Sequence, residues 1–368
     1  MSVAASFPAR AQQRVAAFNS YRPGRPAETI DGKLSSNEAP LGPAPVVRAA
    51  INEAAKNINR YPEAGSLVER IAAQESVDPA TVVVTNGSDE LCYVLAMLFV
   101  APGATVVLSD PCYQIDDLVS RVQGGRPVRV PVLADGSQDL EGMAAAAADA
   151  SILWLPTPHN PTGVAVAPEE LDRLLEAVPQ TCLVVVDEAY RAYADPVLRP
   201  ASRELIARHP NVLVQRTFSK DYGLAGLRIG YGLGAPELID ALNRVKPPFN
   251  VNAVAIAAAQ AAIDSQDWCA YGIELVLRER ARLERTLEEL RVEFYASQAN
   301  FVTFKPPSVG TLQTAFSLAG LVARDGADLG LPGWMRVSVG SPAVMARLRA
   351  VLEKTLGQPA RHASSVLD

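Results

Sequence analysis

Residues 151–190 read SILWLPTPHNPTGVAVAPEELDRLLEAVPQTCLVVVDEAY. The runs 151–156 and 182–187 have the length of strands and are apolar throughout, the pattern of strands buried on both faces. A helix-length segment separates them, and this alternation gives parallel strands covered by helices. It extends in both directions, from residue 80 to residue 235, with further strand candidates at 81–85, 104–109, 127–132, 212–217 and 229–234. The expectation is one large α/β domain built on a mostly parallel sheet of about seven strands.

Beyond it, residues 253–263 are Ala-rich, and a long helix is expected near 273–292, with Val276, Leu283, Leu287 and Leu290 on one stripe. The Arg/Glu run of that helix reads most simply as a solvated face. Strands at 300–304, 321–324 and 335–339, closed by a helix over 342–356, suggest a smaller α+β unit. The chain then divides into an N-terminal arm or small-domain segment (1–42), a large domain (43–270) and a C-terminal small domain (271–368). No internal repeat is evident. The first 42 residues are rich in proline and turn signals, and the last ten are polar and expected to fray.

Composition narrows the function classes. Among 368 residues, 34 Lys and Arg stand against 40 Asp and Glu, a net charge of −6, so no basic surplus exists to neutralise nucleic acid or an anionic bilayer. The N-terminus lacks the apolar core of a signal peptide, and the apolar stretch 91–108 is broken by Pro102 and Gly103, well short of a ~20-residue span. Cys92, Cys112, Cys182 and Cys269 lie far apart, and three sit in apolar or strand-like runs, as in a reduced, cytoplasmic protein. His159, His209 and His362 have no partner at metal-ligand spacing, so neither a zinc site nor a Ser/His/Asp hydrolase is expected.

Open parallel sheets bind ligands beyond the carboxyl ends of their strands. After the first strand comes NGSDE (86–90) and then a helix-like run, so Gly87, Ser88 and Asp89 present N–H groups at a helix N-terminus; this is an anion site or a plain N-cap. After the second, DPCYQ places Tyr113, which either stacks on a flat ligand or simply packs. After the fourth, PTPHNPTG holds Asn160 rigidly between prolines, with or without a ligand. After the fifth, DEAY puts Asp187 at the sheet edge, where it caps a helix or, if buried, needs a cationic partner. After the sixth, TFSKDYGLAGLR gathers Thr217, Ser219, Lys220 and Arg228, although a lone loop lysine is ordinarily a surface group. Together these strand ends supply an anion nest, a flat ring, an acid, an amide, a phenol and an amine. That set suits a phosphorylated aromatic aldehyde bonded to the lysine.

In the order NGSDE, NPTG, DEAY and SKDYGLAGLRIGY, the chain resembles the fold-type I pyridoxal-phosphate aminotransferases, and among them the histidinol-phosphate aminotransferase branch, over residues 20–356. The resemblance implies that Lys220 bonds the cofactor aldehyde and that Asp187 faces the ring nitrogen. Asn160 and Tyr190 would donate to the ring's phenolic oxygen, and Tyr113 would stack on the ring. Gly87, Ser88, Asp89 through its backbone, Thr217, Ser219 and Arg228 would surround the cofactor phosphate; Tyr61 would reach it from a neighbouring subunit, which requires a homodimer. For the substrate, the resemblance assigns Arg336 to the α-carboxylate and Arg324 and Tyr21 to a substrate phosphate, with Asn37 and Asn300 nearby.

The sequence departs from the family pattern at Ala39, where Asn is common, at His159, where Asn is usual, and at Asp221, where a small residue usually follows the lysine. None of these removes a catalytic group. The activity implied is a two-stage amino transfer from a phosphorylated or aromatic amino donor to 2-oxoglutarate, most closely of the histidinol-phosphate type. The alternatives are an aromatic amino-acid aminotransferase, a decarboxylase of a phosphorylated amino acid, and a cofactor-binding protein without catalysis.

Overall fold

A computed structural model describes residues 29–357; Tyr21 and the polar last ten residues lie outside the described residues. The larger sheet contains β1 (Val82–Thr85), β2 (Thr105–Asp110), β3 (Arg126–Pro131), β4 (Ala150–Pro156), β5 (Leu183–Asp187), β6 (Val212–Thr217) and β7 (Gly230–Gly234), in the order β1-β7-β6-β5-β4-β2-β3. Every neighbouring pair is parallel except the two made by β7, which runs antiparallel to both β1 and β6.

Strand alternation divides the apolar side chains between two cores. Val82, Val107, Leu153, Leu155, Val184, Val186, Val212 and Val214 pack on one face of the sheet. Val83, Val106, Leu108, Ile152, Trp154, Leu183, Val185 and Leu213 pack on the other. The inner strands therefore bury both faces under helices, which is why their runs carry no polar alternation, whereas the edge strand β3 is largely exposed and carries Arg126 and Arg129.

The smaller sheet has β8 (Glu293–Phe294), β9 (Phe301–Lys305), β10 (Arg324–Asp325) and β11 (Met335–Ser338), in the antiparallel order β10-β11-β9-β8. Its own core joins Phe301, Phe304 and Val337 to Leu283 and Leu287 of the helix Gln266–Glu289, Phe316 of the helix Val309–Leu318, and Leu348 and Leu352 of the helix Pro342–Leu356. Leu34 belongs to this core as well.

Several expectations need correction. The expected strand over 321–324 begins only at Arg324, because Val322 instead exchanges backbone bonds with Gly32 and Leu34 in a short parallel bridge. The long helix starts at Gln266 and ends at Glu289, earlier than its apolar stripe suggests at both ends. Its charged residues are not all solvated: the Glu279 side chain is fully buried and takes Arg282 at 2.7 Å and Arg349, from the C-terminal helix, at 3.0 Å. No helix among the described residues is long and apolar enough to cross a membrane, and no group of His, Cys, Asp and Glu among them could hold a metal. All four cysteines are free; Cys92, Cys182 and Cys269 are buried and Cys112 is partly buried.

Candidate active site

The carboxyl ends of β1, β2, β4, β5 and β6 open onto a single cleft of about 240 Å³, closed on its far side by residues 35–38 and by β10 and β11 of the smaller sheet. Asn37, Ser88, Asp89, Tyr113, Asn160, Asp187, Tyr190, Thr217, Ser219, Lys220, Arg228, Arg324 and Arg336 all line it. Residues up to 299 positions apart thus meet because strand ends converge, as expected for this sheet class.

The turn after β1 is built for an anion. Gly87 has φ +80°, and a Cβ there would come within 2.6 Å of the Arg228 guanidinium. Gly230 at the start of β7 is equally constrained, since a Cβ would fall 2.8 Å from the Ser88 nitrogen. These two glycines let the Ser88 N–H, at the N-terminus of the helix Ser88–Phe99, and Arg228 approach one point. Thr217 and Ser219 add hydroxyls, joined to one another at 2.9 Å. The side chain of Asp89, for which only the backbone was expected to matter, accepts from the Tyr113 hydroxyl at 3.0 Å and from Arg228 at 3.2 Å. It ties Tyr113 to Arg228.

Asp187 ends β5 and takes the Ala189 N–H at 3.0 Å. No ion pair of the described residues reaches it within 4.0 Å. Burial, reinforced by the Asp89 charge, pushes its carboxyl up to about 6. The Gln215 side chain and the more distant Lys220 charge offset only part of that burial, so it is a buried acid without a salt-bridge partner among the described residues. The Lys220 ammonium lies 5.5 Å from the centroid of the Tyr190 ring. Arg336 donates from Nη1 to Asn160 Oδ1 at 2.5 Å and from Nη2 to the Ser35 carbonyl at 3.2 Å.

His159 supports this arrangement from behind. Its Nε2–H faces Ser109 Oγ at 2.9 Å and the Pro111 carbonyl at 3.2 Å, while Nδ1 accepts from Thr162 at 2.8 Å. Because Ser109 donates its own hydrogen to Pro111, the imidazole is neutral with the proton on Nε2. Burial lowers its pKa to about 4. It holds the loop that presents Tyr113 to the loop that presents Asn160.

Two expected site residues stand apart, and a third is already engaged within the protein. Tyr61 is 79% exposed and stacks on Phe249 at 4.5 Å, outside the cleft of its own chain. Asn300 is buried behind the cleft and donates to the Asn37 carbonyl at 3.0 Å. Asn37 does line the cleft, but its side chain is bonded to Tyr190 and Ser338. Conversely, Ser35, Glu38, Cys112 and Gln114 line the cleft without having been singled out. Ser35 and Glu38 flank Asn37 in one polar run, a signal available in the sequence; for Gln114 there is none beyond its place after Tyr113. Burial pushes the Cys112 thiol up to about 12, so it is no nucleophile.

An open sheet of this order, with its amine and its acid at the carboxyl edge, places the chain among the fold-type I pyridoxal-phosphate enzymes. The sequence profile of the family "Aminotransferase class I and II" matches residues 30–352. "Histidinol-phosphate aminotransferase 1" of Thiobacillus denitrificans is 38% identical over 97% of this chain and 96% of its own. The protein of the same name from Dechloromonas aromatica is 36% identical over 93% of this chain and 97% of its own. Among solved structures, histidinol-phosphate aminotransferase from Sinorhizobium meliloti in complex with pyridoxal-5'-phosphate superposes with a TM-score of 0.83, at 30% identity, over 97% of this chain and 96% of that one. The chain belongs to the class I and II aminotransferases and is a pyridoxal-phosphate-dependent transaminase.

Proposed function

We propose that this enzyme takes the amino group of a phosphorylated amino donor, histidinol phosphate, and passes it to 2-oxoglutarate. The observation that carries the reading is the pair Arg324 and Arg336. They are register partners across β10 and β11, each is 5% exposed, and both line the cleft. Among the described residues Arg324 Nε has no hydrogen-bond partner, and its ion pair with Asp328 is stretched to 4.0 Å. Two neighbouring buried guanidiniums call for a multiply charged anion, and a phosphate meets that demand better than an aromatic side chain does. The names of the two curated relatives support the same donor.

The residues present fit pyridoxal phosphate: the glycine-lined nest at Gly87, Ser88 and Arg228 suits its phosphate, and the buried carboxylate of Asp187, without a salt-bridge partner among the described residues, suits its protonated ring nitrogen. When bound, the cofactor supplies an aldehyde that holds the amino group and a ring that accepts the electrons left when Cα loses a proton. Ser88, Thr217, Ser219, Arg228 and the backbone of Gly87 and Asp89 would hold the phosphate, Tyr113 would cover the ring, and Asn160 and Tyr190 would donate to its phenolic oxygen. Lys220 would hold the aldehyde and, once released by the incoming amine, would serve as the general base and then acid that moves the substrate Cα proton. Asp187, as a carboxylate, would face the ring nitrogen and favour its charged form. Arg336 and Arg324 hold the substrate's anionic end. Tyr61, exposed on its own chain, would complete the phosphate site of a second copy, so the active form is a homodimer in which residues 43–270 form the cofactor domain and residues 1–42 and 271–368 the smaller one.

The test compares kcat/KM for histidinol phosphate and phenylalanine as donors to 2-oxoglutarate. A preference for the phosphorylated donor of at least ~100-fold is expected, because a doubly charged phosphate can pair with both guanidiniums, whereas the single carboxylate of phenylalanine pairs with Arg336 and leaves Arg324 unanswered. Equal or better use of phenylalanine contradicts the reading.

A further inference from the structure

Asn37 adopts the left-handed conformation, φ 55°, with 1% of its surface exposed. A non-glycine residue stays in that region only when its surroundings hold it there, and Asn tolerates it better than most. Here the surroundings are hydrogen bonds from distant parts of the chain. The Asn37 N–H donates to Ser338 Oγ at 2.7 Å, Ser338 donates back to Asn37 Oδ1 at 3.0 Å, and Asn300 donates to the Asn37 carbonyl at 3.0 Å. Its amide nitrogen donates to the Tyr190 hydroxyl at 3.0 Å.

The orientation of that amide is determined by its neighbours. Turned over, it would deprive the buried Ser338 hydroxyl of the acceptor it uses and present nitrogen to a group that already receives the Asn37 N–H. With an N–H entering the Tyr190 oxygen, the phenol's own hydrogen is directed away from Asn37, and Tyr190 lines the cleft. The segment 35–38 is also bonded to β11, since Arg336, two residues before Ser338, donates to the Ser35 carbonyl.

We propose that Asn37 is a positioning residue, not a substrate ligand: it fixes the Tyr190 hydroxyl as a hydrogen-bond donor toward the cofactor's phenolic oxygen and fastens that phenol to the strand carrying Arg336. This rests on the reading of Tyr190 as such a donor. A donor at the phenolic oxygen spreads its negative charge and so lowers the affinity for a proton held beside it.

Asn37→Gly keeps the left-handed backbone and removes the amide, whereas Asn37→Asp keeps the shape but offers an acceptor that draws the phenol's hydrogen away from the cleft. Each is measured in the wild-type and Tyr190→Phe backgrounds. The readouts are the pyridoxal-phosphate dissociation constant of the apo-protein and the pH midpoint of the holoenzyme's visible absorption, with apo-protein melting as the check on folding. Asn37→Gly is expected to weaken cofactor binding about fivefold, and Asn37→Asp more than that. Both move the absorption midpoint to higher pH, as Tyr190→Phe does, and neither adds anything once Tyr190 is Phe. Ser338→Ala, which releases the amide, moves the midpoint the same way. Effects of equal size with and without Tyr190, or Asn37 variants with a wild-type midpoint while Tyr190→Phe shifts it, overturn the proposal. If Tyr190→Phe itself changes neither quantity, the donor role of Tyr190 falls, and this inference with it.

Discussion

Arg336 donates to Asn160 at 2.5 Å across 176 residues of sequence, joining the smaller sheet to the turn that follows β4. The group assigned to the substrate's anionic end is therefore bonded directly to one assigned to the cofactor. Arg336→Lys keeps the charge but loses the planar fork that serves Asn160 and the Ser35 carbonyl at once. Steady-state kinetics should show kcat/KM reduced by ~10–150-fold for every amino donor, the cost of one or two charged hydrogen bonds. Arg324→Met should impose a comparable loss on phosphorylated donors and spare phenylalanine; equal losses on both would separate Arg324 from phosphate recognition.

Gly230→Ala tests the anion nest. Its Cβ would lie 2.8 Å from both the Ser88 nitrogen and the Arg216 carbonyl, so backbone must move. Cofactor affinity should fall at least tenfold, about 1.4 kcal/mol, while the apo-protein still folds. Titrating apo-protein with pyridoxal phosphate, alongside thermal melts, separates the two effects.

Asp187 gives a pH signature in the apo-protein. Its folded pKa of about 6 lies above the ordinary 3.8, so ionisation opposes folding. The stability it allows is complete below about pH 4 and is lost as pH rises through 6. Asp187→Asn apo-protein should therefore be more stable than wild type at pH 7–8, by about 1–3 kcal/mol, with the difference vanishing near pH 4. Urea unfolding at several pH values measures this. The same substitution should abolish most turnover, because the carboxylate that favours a charged ring nitrogen is gone.

His159 acts in the opposite direction. Its folded pKa of about 4 lies below the ordinary 6.5, so its contribution is complete above pH 6.5 and is lost as pH falls toward 4. Wild-type stability should drop by about 3 kcal/mol across that window from this group alone. In His159→Gln, whose side chain does not titrate, the decline between pH 6.5 and 4 should be shallower by that amount. An unchanged slope would mean that the imidazole is not held neutral.

The strands and the residues at their carboxyl ends were legible because both follow from local order: an apolar run sets β5, and the next residue, Asp187, must then sit at the edge. The smaller sheet was less so. β8 and β10 are two residues each, below the length at which alternation carries information, and their pairing is decided by neighbours far away in sequence. Val322 pairs with the segment around Lys33, a choice invisible from either stretch alone. For the same reason Asn37 could be placed near the substrate from its motif, while its bonds to Ser338, 301 residues away, could not. The dual use of Asp89 and the burial of Glu279 likewise depend on which helix faces which.

The measurement that bears most directly on this account is the site of borohydride-stabilised attachment of pyridoxal phosphate, read by peptide mass spectrometry together with turnover of Lys220→Ala. The account predicts one modified residue, Lys220, and no transamination by the variant. Attachment at another lysine, or a variant that still turns over, contradicts it.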